Sequence, residues 1–416
     1  MKRSIIHFIL AVCTLSSFAQ QNDGGARLRS LIGEALASNP RLAAFNAATR
    51  QAEARVSRQR AWDPPRVTAT LMETPANSAN PFRDHLERFY QVEQMIPFPG
   101  KVGAATQAAE AGVRQSISTR VSLEQWLLAE VKRLYAHLLS TQRRLTINDE
   151  QHELLRQMLQ STEGKYTVGR ATQADVLRLT IELRKLENER TAIEQERHAA
   201  KAQLNALRGK PAADPLEDVP AFDPPLPMIA TDTLVSRALH QRPDLLGIDA
   251  ELAMSRAEQS MAEREYWPDL MIGAGYRNRR VMPDAWEVML GVSIPIAPWA
   301  TGKTSGLVEE RRAAVQSTEL MREELMNMVR FDVVTREQKM LSHWTQAERY
   351  RTEIIPKAEQ TLGSLRAGYQ TNQTDFLSLI DSFRMLQMFK MEYVMQMMEY
   401  HMARADLEQA VGSELQ

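Results

Sequence analysis

The chain has 416 residues, 44% hydrophobic, 25% charged and 6% aromatic, a balance that excludes a disordered or collagen-like polymer. Its 51 basic and 52 acidic residues give a formal charge of −1, too even for a nucleic-acid partner, which a phosphate backbone would demand as a basic patch. The length allows two or three domains, or one elongated repeat structure.

At the N-terminus Lys2 and Arg3 precede an apolar run from Ile5 to Val12, and Ser17 and Ala19 supply the small residues that a signal peptidase reads. Residues 1–19 therefore read as a cleaved export signal. Its removal leaves 49 basic against 52 acidic residues, a charge of −3. The single cysteine, Cys13, lies inside that signal. It is either removed with the signal or acylated as the first residue of a lipoprotein, a reading that the bulky Val12 before it disfavours. No later apolar run reaches the roughly 18 residues of a transmembrane helix, so a membrane crossing would have to use strands.

Beyond the signal the chain says nearly the same thing twice. LIGEALASNPRLAAF at 31–45 returns as LVSRALHQRPDLLGI at 234–248. Pro40 matches Pro243, Trp62-Asp63-Pro64 matches Trp267-Pro268-Asp269, and Gly100-Lys101 matches Gly302-Lys303. A diverged tandem duplication follows, with a first repeat over 20–210, a Pro-rich linker over 211–231 and a second repeat over 232–416.

No proline occurs between Pro99 and Pro211, and only Pro356 occurs after Pro298, so these windows admit very long helices. Apolar spacing places helices at 25–62, 103–162, 173–208, 232–266, 304–365 and 374–412. A helix of about 60 residues spans roughly 90 Å and needs partners along its length, as in a coiled coil or helical tube. Strands are expected at 66–73, 88–97, 269–279 and 285–296, where large apolar residues such as Val288, Leu290 and Val292 alternate with smaller or polar ones. These lengths suit half-buried soluble hairpins or tilted membrane strands. Four strands cannot close a barrel, and lipid does not tolerate an open sheet edge, so a membrane reading requires copies of the chain to share one barrel.

Three motifs invite chemistry. Met388, Met391, Met395, Met398 and Met402 recur at intervals of 3 and 4, a thioether ladder for a soft cation or, more simply, a coiled-coil seam. Ala297 to Thr304 resembles a phosphate-binding loop but has alanine in the place of the first glycine. His152, Glu153 and His401 lack partners at metal-ligand spacing. No nucleophile and base are paired, so neither an enzyme, a metal site nor a cofactor is expected.

Together the stretches ALASNPRL, ALHQRPDLLGIDAELAMSRAEQSMAEREYWPDLMIGAGY, IPFPGK at 96–101, YTVGRATQADVL at 166–177 and EIIPKAEQTL at 353–362 resemble the TolC family of outer-membrane efflux proteins. The resemblance implies a mainly α fold with membrane β: a long α-helical coiled-coil barrel in the periplasm, and four strands per chain in a twelve-stranded β-barrel shared by a homotrimer in outer-membrane lipid. It implies a passive exit duct docked on a periplasmic adaptor and an inner-membrane RND-type pump. A periplasmic coiled-coil scaffold, or a type I secretion outlet of the same fold, is the alternative. The IPFPGK bend looks most like the heavy-metal branch, which would make metal cations the cargo.

By motif, the helix-turn-helix tips run from Tyr166 to Asp175 and from Tyr369 to Asp375. The resemblance makes Asp375, Asp175 and Ser378 the pore-gate positions and Tyr166, Gly169, Tyr369 and Asn372 the adaptor-docking tips. Asn372 stands where glycine is usual, and asparagine tolerates the left-handed backbone that glycine supplies. The interval from tyrosine to aspartate is 9 in the first tip and 6 in the second. Asp375 is equally readable as a plain helix cap. Pro97, Gly100, Lys101, Gly302 and Lys303 are expected at the barrel-to-tunnel bends, with Trp62, Pro64, Trp267 and Pro268 at the helix-to-barrel passage.

Overall fold

The computed structural model describes residues 24–74, 76, 78–221, 226–227, 229–293 and 298–415. The expected signal over 1–19, with Cys13, lies outside them. Helix α1 covers 24–38 and α2 Pro40–Arg60, followed by β1 Arg66–Met72, a short α3 Pro81–Asp84, β2 Glu87–Ile96, α4 Lys101–Thr167 and α5 Gln173–Leu207. The second half runs α6 Thr231–Gln241, α7 Pro243–Arg264, β3 Leu270–Arg279, β4 Ala285–Val292, α8 Pro298–Arg349, a π-helical turn Tyr350–Ile354, α9 Ile355–Gln370 and α10 Phe376–Val411.

Each expected first helix is in fact two. At Asn39 the chain leaves the helix, and the Asn39 side-chain oxygen accepts the backbone N–H groups of Arg41 at 2.9 Å and Leu42 at 3.3 Å, which caps α2. At Arg242 the backbone turns extended, with ψ 123. Both breaks precede a proline, whose ring disfavours a helical predecessor. The helix expected from 304 begins instead at Pro298, since a proline suits the first helical turn. It meets Pro356 through the π turn, in which the Ile355 N–H reaches back to the Tyr350 carbonyl. That extra residue accommodates a proline that has no N–H of its own to give.

The chain forms two compact units, and they cut across the two sequence repeats. One contains the segment up to Ala43, Ser122–Arg242 and the segment from Met328; the other contains Ala44–Val121 and Pro243–Asn327.

The first unit has two apolar cores. One joins Leu31 and Ala35 of α1 to Leu127, Val131, Tyr135 and Leu138 of α4 and Leu204 of α5. Leu216 and Val219, from the segment expected to be a linker, enter the same core. Tyr135 donates its hydroxyl to the Pro220 carbonyl at 2.7 Å, and Lys201 donates to the Leu216 carbonyl at 2.8 Å. Burial of leucine and valine at about 25 cal/mol per Å² outweighs the flexibility that prolines would otherwise impose on this stretch. The other core gathers Leu155 and Met158 of α4, Leu179 and Leu186 of α5, Leu362 and Tyr369 of α9, and Phe376, Leu379 and Phe383 of α10.

Along α10 the buried line is Leu379, Phe383, Leu386, Val394, Met397, Tyr400 and Leu407. The methionine stripe is therefore not the packing seam within the chain: Met388 is 57% and Met395 45% exposed. Helical 3-4 spacing exists on two faces of α10, and the aromatic and branched side chains took the buried one.

In the second unit the four strands form one antiparallel sheet in the order β1-β2-β3-β4. Register pairs Val67 with Val92, Val92 with Ala274 and Ala274 with Val288. The central β2–β3 pair thus joins the two halves of the sequence, while β1 and β4 each leave one edge open.

Candidate functional site: a two-faced sheet, a charged bend and paired helix tips

Because side chains alternate across a strand, the register sorts this sheet into two faces. One carries Val67 and Leu71, Tyr90 and Val92, Leu270 and Ile272, and Trp286, Val288, Leu290 and Val292. These apolar side chains are exposed, with Val288 82%, Trp286 79% and Leu290 78% accessible. Tyr90, Tyr276 and Trp286 lie opposite one another in a single cross-strand row. The Tyr276 and Trp286 rings are 5.0 Å apart, which makes an aromatic row such as those that border a membrane. The other face carries Thr68, Thr70, Glu87, Gln91, Glu93, Arg277 and Glu287. An apolar area this large and contiguous is not left to water, whereas a barrel wall with lipid outside and polar groups inside has this alternation.

Between β2 and α4, residues 97–100 make a tight bend. Gly100 sits at φ +95, where only glycine is at ease, and a Cβ there would press on the Arg264 guanidinium. Lys101, 9% exposed, donates to Asp269 at 2.9 Å and to Glu265 at 3.4 Å. Asp269 also accepts the Phe98 N–H at 2.7 Å, and the Phe98 ring stacks on Trp267 at 5.1 Å. The bend is thus pinned by Asp269 and Phe98, which sequence reasoning did not single out; the sole signal was Asp269 closing the second Trp-Pro-Asp run. Trp62 and Trp267 are 56% and 55% exposed. The parallel expected in the second repeat fails. Gly302 and Lys303 lie inside α8 and are exposed, because that helix starts at Pro298 and has already formed where the first repeat is still bending. The same helix includes Pro298 to Thr304, so that stretch is no phosphate cradle; Ala297 is outside the described residues.

The tips of the first unit share one turn design. In the first, the Gly169 N–H bonds to the Tyr166 carbonyl at 3.0 Å and the Arg170 N–H to the Lys165 carbonyl at 2.8 Å. In the second, the Asn372 N–H bonds to the Tyr369 carbonyl at 3.2 Å and the Gln373 N–H to the Gly368 carbonyl at 2.8 Å. These are matching Schellman ends, with Gly169 at φ +73 and Asn372 at φ +63 in the left-handed place. Three residues later each chain starts its next helix, on an N-cap of Thr172 or Asp375. The two turns are equally long, and the three-residue surplus of the first tip is an added turn at the head of α5. Burial agrees, since Leu179 and Leu379, Glu182 and Ser382, and Leu186 and Leu386 are buried at a constant spacing.

The two acids therefore differ in task. Asp175 closes a capping box: its N–H donates to the Thr172 hydroxyl at 3.2 Å and its carboxylate accepts the Thr172 N–H at 3.0 Å. Asp375 is itself the N-cap, exposed, and accepts the Ser378 N–H at 3.2 Å. Tyr166 is 47% exposed and the neighbouring Val168 67%, but the Tyr369 ring is 8% exposed and packs edge-on against Phe376 at 6.1 Å. Of the two tyrosines, only Tyr166 presents its ring at the surface.

Lys165, absent from the sequence reading, ties one tip to the other. Its ammonium donates to the Tyr369 carbonyl and, at 2.8 Å, to the Asn372 side-chain oxygen, and it lies 4.1 Å from the centre of the Tyr369 ring. Burial, and then the charge of Arg170, pull it below the ordinary lysine range. Elsewhere in this unit Glu34 is held below the usual carboxylate range by hydrogen bonds from Arg208 and Lys210. Among the described residues no group of three or more His, Cys, Asp or Glu side chains could hold a metal, and no helix is long and apolar enough to cross a membrane.

An open four-stranded sheet with one apolar and one polar face lies in one unit, and the two capped helix turns lie in the other. Residues 31–210 match the model of the outer membrane efflux protein family. A pyoverdine export outer membrane protein, OpmQ of Pseudomonas aeruginosa, is 26% identical over 269 residues, which are 60% of this chain and 56% of that protein. The matched stretch thus spans little over half of that relative. Among solved structures, the outer-membrane channel OprN superposes with TM-score 0.82 at 18% identity, covering 96% of this chain and 92% of that one. VceC of Vibrio cholerae gives 0.80 at 18% over 94% and 97%, and CusC gives 0.80 at 16% over 94% and 92%. The family model thus matches the first part of the chain, and the chain as a whole has the fold of these outer-membrane channels.

Proposed function

We propose that three copies of the chain build one passive exit duct, with a twelve-stranded barrel in the outer membrane and a helical tunnel in the periplasm that docks on an adaptor and an inner-membrane RND-type pump. The observation that carries this reading is the sheet: its apolar face is exposed along all four strands, and both β1 and β4 are open edges. Lipid admits such strands only in a closed barrel, and one chain supplies too few of them. In this duct the turns at Gly169 and Asn372 form the far tips, Asp375 faces the opening and Tyr166 offers an exposed ring to the adaptor. The cargo favoured by the IPFPGK bend is heavy-metal cations; increased copper or silver sensitivity of a deletion strain supports that cargo, and unchanged sensitivity opposes it.

The duct is tested by membrane fractionation with unboiled gel analysis. A detergent-extracted trimer in the outer membrane supports it. A freely soluble monomer would overturn it in favour of the periplasmic scaffold.

A further inference from the structure

The polar face of the sheet concentrates its charge at the hairpin end of the strands. Arg277 of β3 reaches to both neighbouring strands: Nη1 donates to Glu87 of β2 at 2.6 Å, and Nη2 donates to Glu287 of β4 at 3.1 Å. Arg279 adds a longer contact to Glu87 at 3.7 Å. The Arg277 guanidinium lies over the Phe89 ring, 4.7 Å from its centre. That ring in turn occupies the space above Gly275, where any Cβ would collide with it. Glu87 and Phe89 are 7% and 9% exposed. A carboxylate buried to that degree persists only when paired, so two acids and two guanidiniums form a fixed layer of zero net charge. Toward the other end of the strands the same face carries Gly273 and Gly291, covered by the side chains of Glu93 and Met271, and a single acid–base pair of neighbours, Glu93 and Arg66.

Resting on the duct reading, we infer that the Glu87–Arg277–Glu287 network is a selectivity-setting layer of the pore lumen, a second control point besides the helix tips. Its charge balance lets small ions of either sign through the strand region. Removing Arg277 leaves one uncompensated negative charge per chain and removing Glu287 one positive, so a trimer acquires three at a single level of the pore. Charges lining a low-dielectric channel focus the field and enrich counter-ions, and three lie close enough not to be screened at low salt.

The experiment is the reversal potential of single trimers in planar bilayers under a KCl gradient. Arg277→Gln is expected to raise the potassium-to-chloride permeability ratio about threefold or more, and Glu287→Gln to lower it by a similar factor. The double variant is expected to return close to wild type. Glu287→Gln keeps the buried Glu87–Arg277 pair, so it remains informative if Arg277→Gln fails to assemble on an unboiled gel. Conducting trimers of Glu287→Gln with an unchanged ratio would overturn the inference and leave the duct intact. A wild-type protein that forms no pore would instead remove the duct and this layer with it.

Discussion

If the tips hold the tunnel closed, Lys165 is the side chain whose loss opens it most cleanly. Lys165→Met keeps the aliphatic stem against Tyr369 and deletes the ammonium. Two charge-assisted hydrogen bonds disappear, to the Tyr369 carbonyl and the Asn372 side chain, together with the contact over the Tyr369 ring. Hydrogen bonds to a charged group contribute about 1.5–3 kcal/mol each, the partly exposed Asn372 bond less, and the ring about 0.5–1 kcal/mol. A coupling of about 2–3 kcal/mol between the tips corresponds to roughly a 30- to 150-fold shift between closed and open states. Single-channel recording should show that shift as raised open probability. Intact Lys165→Met trimers with wild-type opening would refute a tether at this place.

Asp375→Ala should raise conductance or lower cation preference, because three exposed carboxylates at a threefold axis draw cations; unchanged values would assign Asp375 to capping alone. Glu34→Gln removes the charged partner of Arg208, which is 4% exposed, and should cost about 2–3 kcal/mol in thermal unfolding followed by circular dichroism. Since the Glu34 pKa is depressed in the fold, its contribution is present above the unfolded carboxylate value and is lost as pH falls through the folded one. Wild-type stability should therefore decline in mild acid more steeply than that of Glu34→Gln. Lys101→Met leaves Asp269 and Glu265 without their cation and should lower the share of trimer on unboiled gels, an effect absent from Lys303→Met, whose side chain is exposed on α8.

The strands and their faces were legible because a period of two is written directly into segments such as Trp286 to Val292. The long helices were legible from missing prolines. Repeat symmetry misled at Gly302 and Lys303: the two halves resemble each other in letters, but a proline five residues upstream started α8 early. The tips were found by motif, yet counting from tyrosine to aspartate hid their equal turns, because the second acid moved from inside the cap to the cap itself. Lys165, Asp269 and Arg277 escaped notice for a common reason. Each acts through partners from 168 to 207 residues away or on a neighbouring strand, and no local pattern announces such a contact.

The most direct test of the shared barrel is cysteine accessibility in intact outer membranes. With Cys13 inside the expected signal, a cysteine introduced on β4 is the sole reporter in the mature chain. A membrane-impermeant maleimide should label Met289→Cys and Gly291→Cys, on the face that the proposed barrel turns to its lumen, and should spare Val288→Cys and Leu290→Cys, on the face that it turns to lipid. Equal labelling at all four positions would place both faces of the sheet in water and contradict the account.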